Sequence, residues 1–122
     1  MSRYFNVRGF LDCDYTDLAA IQAVVAQDRA RGTLFHLSEE TVSLYLDGWV
    51  YQRREIDWIA HAFFGASVKS EGVDLILDQL VRLAELIPEL EGVFFVDDDE
   101  GGPSCQWDVS NGRVSTRQEF HD

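Results

Sequence analysis

The order of apolar and polar positions at the start of the chain indicates a strand followed by a helix. In residues 4–11, Phe5, Val7 and Leu11 fall on one side of an alternating pattern, which predicts a half-buried strand. From about Asp14 onward the apolar positions recur at helical spacing, and the predicted buried stripe is Leu18, Ile21, Val24 and Val25. Gly32 supplies a residue suited to ending that helix.

The rest of the first half reads as short strands. Residues 33–37 and 41–46 each resemble a strand, and a short polar turn separates them. The dipeptide Asp47-Gly48 then suits a two-residue hairpin turn. Residues 49–53 are predicted as the returning strand.

The second half follows a similar order of elements. A strand is predicted at 58–68, a helix at 71–87, a strand at 93–96, and two more strands flank Asn111-Gly112. The predicted helix has a wide apolar face and a polar face rich in carboxylates.

The two halves share residues at an offset of 64, which suggests an internal repeat. The matched pairs are Gly48 and Gly112, Val50 and Val114, Arg53 and Arg117, and Glu55 and Glu119. We therefore predict one α+β domain over 1–122, formed by tandem β-α-β-β-β units at 3–55 and 57–120. Such a domain would hold a largely antiparallel sheet of about eight strands, with two helices on one face.

Composition supports one globular domain. The chain has 122 residues and 46% hydrophobic content, enough for a core of its own. It contains no apolar run of membrane-spanning length, and its first residues do not resemble a signal peptide, so we expect a cytoplasmic protein. Cys13 and Cys105 are too few and too far apart for a disulfide framework and are interpreted as thiols.

Negative charge is concentrated in one part of the chain. Residues 71–108 hold eleven acidic side chains and the single base Arg82, and so carry −10 of the net charge of −12. Nucleic acids and anionic membranes are unsuitable partners because their phosphates need clustered Lys and Arg. The charge favours a partner with a basic surface.

The densest acidic run lies in a loop that is longer than its counterpart in the first half. Residues 97–103 occupy the place that three residues, 38–40, fill in the first predicted unit. Loops beyond the length that a turn needs often carry function. The candidate partner-binding residues are Asp97, Asp98, Asp99, Glu100, Asp108 and Trp107. Burial against a helix is the alternative role for Trp107.

Other chemistry has little support in the residue pattern. The acidic run lacks the ligand spacing of a calcium-binding loop, and no paired cysteines accompany the scattered His36, His61 and His121, so no metal site is predicted. No phosphate-binding glycine motif occurs, and no cofactor is predicted. Cys13 with His36 or His61 is the single nucleophile and base combination worth naming, and Asp12 and Asp14 oppose its thiolate.

The chain resembles the immunity proteins that protect bacteria from polymorphic toxins, including those of contact-dependent inhibition. The resemblance lies in small size, acidity and the aromatic and glycine pattern of YFNVRG at 4–9 and AFFGASVK at 62–69. It implies an inhibitor, not an enzyme, that binds one cognate toxin domain with a basic surface. Two alternatives stay open: a regulatory domain that binds a small ligand between sheet and helices, and a small enzyme that uses Cys13.

Overall fold

The computed structural model describes residues 3–119 as one six-stranded antiparallel sheet with three α-helices. The elements in chain order are β1 (Tyr4–Asp14), α1 (Leu18–Gln27), α2 (Glu39–Leu46), β2 (Trp49–Tyr51), β3 (Ile59–Lys69), α3 (Ser70–Leu86), β4 (Glu91–Asp98), β5 (Ser104–Ser110) and β6 (Arg113–Glu119). Short 3₁₀ helices at Tyr15–Asp17 and Asp28–Phe35 flank α1. The predicted α+β class with an antiparallel sheet is confirmed, whereas the predicted eight strands and two helices are wrong.

The sheet has the strand order β2-β3-β1-β4-β5-β6. Strands β1 and β3 are the longest, at 11 residues each, and they pair along their whole length, from Tyr4 opposite Lys69 to Asp14 opposite Ile59. Because alternate side chains of a strand point to opposite faces, this register defines two different faces of the sheet.

One face of the sheet packs against the helices and forms one side of the hydrophobic core. Its side chains join those of the helices in a single buried cluster. The strand contributions to this inner face include Val7, Leu11, Ala60, Ala62, Phe64, Val68, Phe94, Val96, Trp107 and Val109. The helices therefore cover the same face, as the sequence predicted.

The segment 33–46 is where the predicted secondary structure is wrong. Residues 33–37 belong mostly to a 3₁₀ helix, and residues 41–46 belong to α2. Ser38 caps α2, since its hydroxyl accepts the Thr41 N–H at 3.2 Å. The buried residues Val42, Tyr45 and Leu46 have helical spacing, while Leu44, which an alternating strand would bury with Val42 and Leu46, is 69% exposed.

Asp47-Gly48 is not a hairpin turn. Asp47 keeps helical dihedral angles at the end of α2, and Gly48 packs against β3, where an added Cβ would lie 2.6 Å from the Gly65 carbonyl oxygen. The first half is thus β-α-α-β, and only the second half has the predicted β-α-β-β-β order. Residue 120, the end of the second predicted unit, lies outside the described residues.

The predictions for the second half match the structure closely. Helix α3 begins and ends within one residue of the predicted bounds. Asn111 and Gly112 have φ values of 53° and 76° and form the two-residue turn between β5 and β6. A turn of that type requires positive φ at both positions, which Asn and Gly tolerate.

A buried polar network fixes the edge strand β2 to the helices. The Trp49 indole N–H donates to Gln79 Oε1 at 2.8 Å, and Gln79 Nε2 donates to Asp28 Oδ2 at 2.7 Å. Arg82 Nη2 donates to the same carboxylate oxygen at 2.6 Å. Burial alone would lower the pKa of Arg82, but its hydrogen bonds and ion pairs with Asp28 and Asp78 leave that pKa raised.

Candidate interaction surfaces

Asp98 holds the acidic loop in shape. Its Oδ1 accepts the Glu100 N–H at 2.9 Å, and its carbonyl accepts the Gly101 N–H at 3.1 Å. Its Oδ2 lies 3.1 Å from Arg3 Nε, and the carboxylate is buried. Gly101 has φ of 83°, a conformation that favours glycine. The loop is therefore a fixed turn, and Asp98 is part of its structure.

The other carboxylates of the run differ in exposure. Asp97 forms an ion pair with Arg8 from the neighbouring strand β1. Asp99 is exposed, and its N–H donates to the Tyr4 carbonyl at 3.0 Å. Glu100 is also exposed, with Oε2 3.5 Å from Arg3 Nε. Asp99 and Glu100 are thus the two members of the run that project into solvent from a fixed backbone.

The remaining two predicted contact residues have different surroundings. Trp107 is 2% exposed and packs in the core, so of the two roles considered for it the structure gives it the packing role. Asp108 accepts Gln106 Nε2 at 2.9 Å and Arg117 Nε at 2.7 Å. The hydrogen bond from Gln106, and then those from Arg117 with its charge, lower the pKa of Asp108 below its usual value.

The exposed tryptophan is a residue that the sequence reasoning did not select. Trp58 is 84% exposed in the loop before β3, directly after Asp57, whose Oδ1 accepts the Trp58 N–H at 2.7 Å. Trp49, by contrast, is buried. Nothing in the local pattern distinguishes these positions, because their exposure depends on which strand reaches the core.

The second face of the sheet is uncovered within the described residues and carries an apolar row. The strand registers align one side chain from each of four adjacent strands, namely Val50, Phe63, Phe10 and Val93. Val50 is 60% exposed and Phe63 is 49% exposed. We call these four residues the apolar row.

Polar and charged side chains border the apolar row on both sides. On one side, His61 Nδ1 lies 2.6 Å from Asp12 Oδ1. On the other, the Arg8 guanidinium lies 5.5 Å from the centre of the Phe95 ring, a cation–π contact. The sequence does carry a sign of this face. In β1 and β3, large apolar residues occur at consecutive positions, such as Phe63 and Phe64, so both faces of the sheet carry apolar side chains.

Charge is distributed very unevenly between the two sides of the molecule. Among residues 4–118, the strand side chains that alternation directs to the uncovered face include five acids and four bases, whereas the whole chain has 22 acids and 10 bases. These are Asp12, Asp14, Glu91, Asp97, Asp108, Arg8, Lys69, Arg113 and Arg117. Most of the net charge of −12 therefore lies on the helices and loops.

The first turns of α3 show the effect of this negative charge. Burial raises the pKa of Asp74, and the charge of Glu71 raises it further. Near this end of α3, a polar hollow is lined by Arg3, Lys69 and Glu71. Since Arg3 also contacts Asp98 and Glu100, the acidic loop and the start of α3 lie at the same end of the molecule.

Cys13 lacks the surroundings of a nucleophile. Burial, followed by the charges of Asp17, Asp14 and Asp12, raises the pKa of its thiol to about 11. Its side chain faces the core, whereas His61 belongs to the uncovered face, since Cys13 pairs with Ala60 in the register. His36 is exposed in a left-handed conformation at the end of a 3₁₀ helix. The structure does not bring the cysteine and either histidine into a catalytic arrangement.

The described residues show neither a metal-ligand cluster nor a helix that could span a membrane. Among the side chains described, over residues 3–118, no three of His, Cys, Asp or Glu group as metal ligands. His121, considered from the sequence as a zinc ligand, lies outside the described residues. None of the helices described is long and apolar enough to cross a membrane.

An open groove lies between α1 and the edge strand β2. It has a volume of about 730 Å³ and is lined by Tyr15, Thr16, Leu18, Ala19, Gln22 and residues 49–53. The Tyr51 hydroxyl is buried and has no hydrogen-bond partner among the described residues. Burial raises the pKa of Tyr51 to about 12.

Comparisons with protein-family models, with curated proteins and with solved structures found no match to this chain.

Proposed function

We propose that this protein is an inhibitor of the immunity type, which binds a basic surface of one cognate toxin domain. The contact surface in this proposal is the acidic side of the molecule, formed by the outer faces of the helices and the loop between β4 and β5. The observation that carries the proposal is the separation of charge, because the sheet face is nearly balanced and the helix side is strongly acidic. A potential of one sign on one side speeds the association of an oppositely charged partner.

The fixed geometry of the acidic loop supports a binding role. The backbone N–H groups of Asp99 and Glu100 donate to the Tyr4 carbonyl and the Asp98 carboxylate, so little backbone conformational entropy is lost when these residues contact a partner. An acidic loop that served only solubility would need no such restraint. The proposed contact residues from the acidic run are therefore Asp99 and Glu100, with Asp98 as their structural support.

The surroundings of Cys13 favour a binding role over cysteine chemistry. With a pKa of about 11, only about one thiol in 10⁴ is ionised at pH 7. A catalytic cysteine needs its thiolate near neutral pH. This observation weakens the alternative of a small cysteine enzyme.

Growth protection tests the function directly. The C-terminal domain of a large protein encoded next to this chain in its native genome would be expressed in bacteria with and without the inhibitor. We expect that domain to stop growth when alone and co-expression to restore growth. The same pair, purified, then serves for binding kinetics.

The contact surface is tested with two variants that remove the same charge. Asp99→Asn with Glu100→Gln should lower the association rate about three- to tenfold at low salt, because electrostatic steering is lost. The control, Glu55→Gln with Asp57→Asn, removes two exposed charges elsewhere on the molecule. Equal rates for the two variants would show that the loop is not the electrostatic contact.

The groove beside β2 favours a second candidate function, the binding of a small ligand. It lies between a helix and the sheet, and Tyr51, whose buried hydroxyl has no hydrogen-bond partner among the described residues, is one of its lining residues. A ligand that binds the folded state alone raises the melting temperature. A metabolite library that shifts the wild-type protein but not Ala19→Trp, which fills the groove, would support this function.

A further inference from the structure

We propose that the uncovered sheet face binds a second copy of this chain, in a face-to-face dimer whose two-fold axis runs along the apolar row. The proposal does not depend on the toxin-binding function, because it concerns the opposite side of the molecule.

The face is large enough for a stable dimer. Strands β3, β1, β4 and β5 have 11, 11, 8 and 7 residues, so at a rise of ~3.3 Å per residue they extend ~36, ~36, ~26 and ~23 Å. With strands spaced ~4.8 Å apart, their flat projection is ~590 Å², and a corrugated surface has more accessible area than its projection. This is close to the ~600 Å² per partner at the small end of standard interfaces.

The charge balance selects a second copy over a basic partner. A basic protein is attracted to the acidic helix side and gains little from a face with five acids and four bases. Two copies of a chain with net charge −12 repel each other through every acidic surface. The nearly neutral face with the apolar row is where two copies meet with least repulsion.

The arrangement of charges is self-complementary under the proposed axis. A two-fold axis along the apolar row places Val50, Phe63, Phe10 and Val93 opposite the same residues of the second copy. The rotation also brings each border of the row opposite the other border, because the two borders lie at equal distances, two residues along each strand, on either side of the axis. Asp12 of one copy then faces Arg8 of the other, and Glu91 faces the region of Phe95 beside that arginine.

The outer strands β5 and β6 bring like charges together under the same operation. It places Arg113 opposite Arg117, and it places Asp108 opposite its own copy, where each carboxylate already pairs with Arg117 of its own chain. Arg113 and Arg117 lie at the edge of the sheet, where water and salt screen like charges. The contact is therefore centred on β3, β1 and β4. Two sheets that pack this way keep their strands within ~30° of each other and ~10 Å apart.

Sedimentation of the full chain tests the proposal. Wild-type protein should change from monomer to dimer between about 1 and about 300 μM, and raising the salt from about 50 to about 500 mM should strengthen the dimer by screening the net charge. Phe63→Ser should weaken the dimer about a hundredfold, since each dimer loses two central aromatic contacts. Leu44→Ser, which changes an exposed apolar residue on the helix side, should leave the dimer within about threefold of wild type.

The outcomes separate clearly. A monomer at about 300 μM in about 500 mM salt would overturn the proposal, as would equal effects of Phe63→Ser and Leu44→Ser. Circular dichroism checks that each variant is folded. If Phe63→Ser does not fold, Val50→Ser at the edge of the row decides the matter, with an expected weakening of about tenfold. No change with Val50→Ser in that case would also count against the proposal.

Discussion

Replacement of Asp28 by asparagine should destabilise the protein strongly, because Asp28 is the centre of the buried polar network. The residue is 0% exposed and connects the 3₁₀ helix that follows α1 to α3. Its Oδ2 accepts hydrogen bonds from Gln79 at 2.7 Å and Arg82 at 2.6 Å, and its Oδ1 lies 3.5 Å from Arg31 Nε. Asparagine keeps the shape of the side chain and removes the charge.

The expected loss follows from the bonds that change. A hydrogen bond to a charged group contributes about 1.5–3 kcal/mol, and one between neutral groups contributes about 1 kcal/mol. Truncating one partner of a buried ion pair costs about 3–5 kcal/mol. The amide oxygen would still accept from Gln79 and Arg82 but without the charge, and the new NH₂ group would lie against the Arg31 guanidinium, so we expect Asp28→Asn to lower the free energy of unfolding by about 3 kcal/mol.

The matched control is Asp78→Asn, which removes the other carboxylate that contacts Arg82. The Asp78 side chain is 34% exposed, so its loss should cost less than about 1 kcal/mol. Urea unfolding followed by tryptophan fluorescence, to which the buried Trp49 and Trp107 contribute, measures both variants at a concentration that keeps the protein monomeric. At a slope of about 1.5 kcal/mol per molar, Asp28→Asn shifts the midpoint by about 2 M. Midpoints for the two variants within about 0.5 M of each other would refute the reasoning.

Three further predictions concern single groups. The Cys13 thiol, with a pKa raised to about 11, should react with iodoacetamide far more slowly than a free cysteine at pH 8, and its reaction rate should rise with pH up to that value. The same raised pKa should make the folded protein less stable at high pH. The thiol of the unfolded chain ionises at a lower pH than that of the folded chain, so the free energy of unfolding falls as pH rises from about 9 to about 11. Asp98→Ala should lower the free energy of unfolding by about 1–2 kcal/mol, whereas Asp99→Asn should change it by less than about 0.5 kcal/mol in the same urea assay. The pKa of Asp108, which is lowered in the wild type, should rise in Gln106→Leu, and carboxyl chemical shifts in NMR measure it. In the wild type, the stability that the Asp108 carboxylate adds is present above the pKa of the unfolded chain and is lost as pH falls through the pKa of the folded protein.

The sequence predicts helix α3 well and helix α2 poorly, for a physical reason. Helix α3 has 17 residues, so its apolar positions recur through several turns and leave one interpretation. Helix α2 has eight residues, and its segment of β-branched and apolar residues fits a short strand as well. The Ser38 cap and the burial of Tyr45 stabilise the helix over the strand. Burial depends on the completed core, so the local sequence does not reveal it.

The candidate site shows the same limit of local patterns. The sequence places the acidic loop correctly between two strands, although β4 extends through Asp98 and shortens it. The roles of its members depend on β1, which pairs with β4 and brings Arg8 to Asp97 across 89 positions of sequence. Such long-range pairs determine which carboxylates are structural and which are exposed.

The two proposed surfaces respond to salt in opposite directions, and this follows from one distribution of charge. Binding of a basic toxin to the acidic side depends on attraction between unlike charges, so added salt weakens it. Dimer formation through the nearly neutral face is opposed by the repulsion of two chains of net charge −12, so added salt strengthens it. Because the surfaces lie on opposite sides of the sheet, a dimer would present two acidic sides outward. It would then bind two toxin domains with independent sites and an unchanged association rate per site.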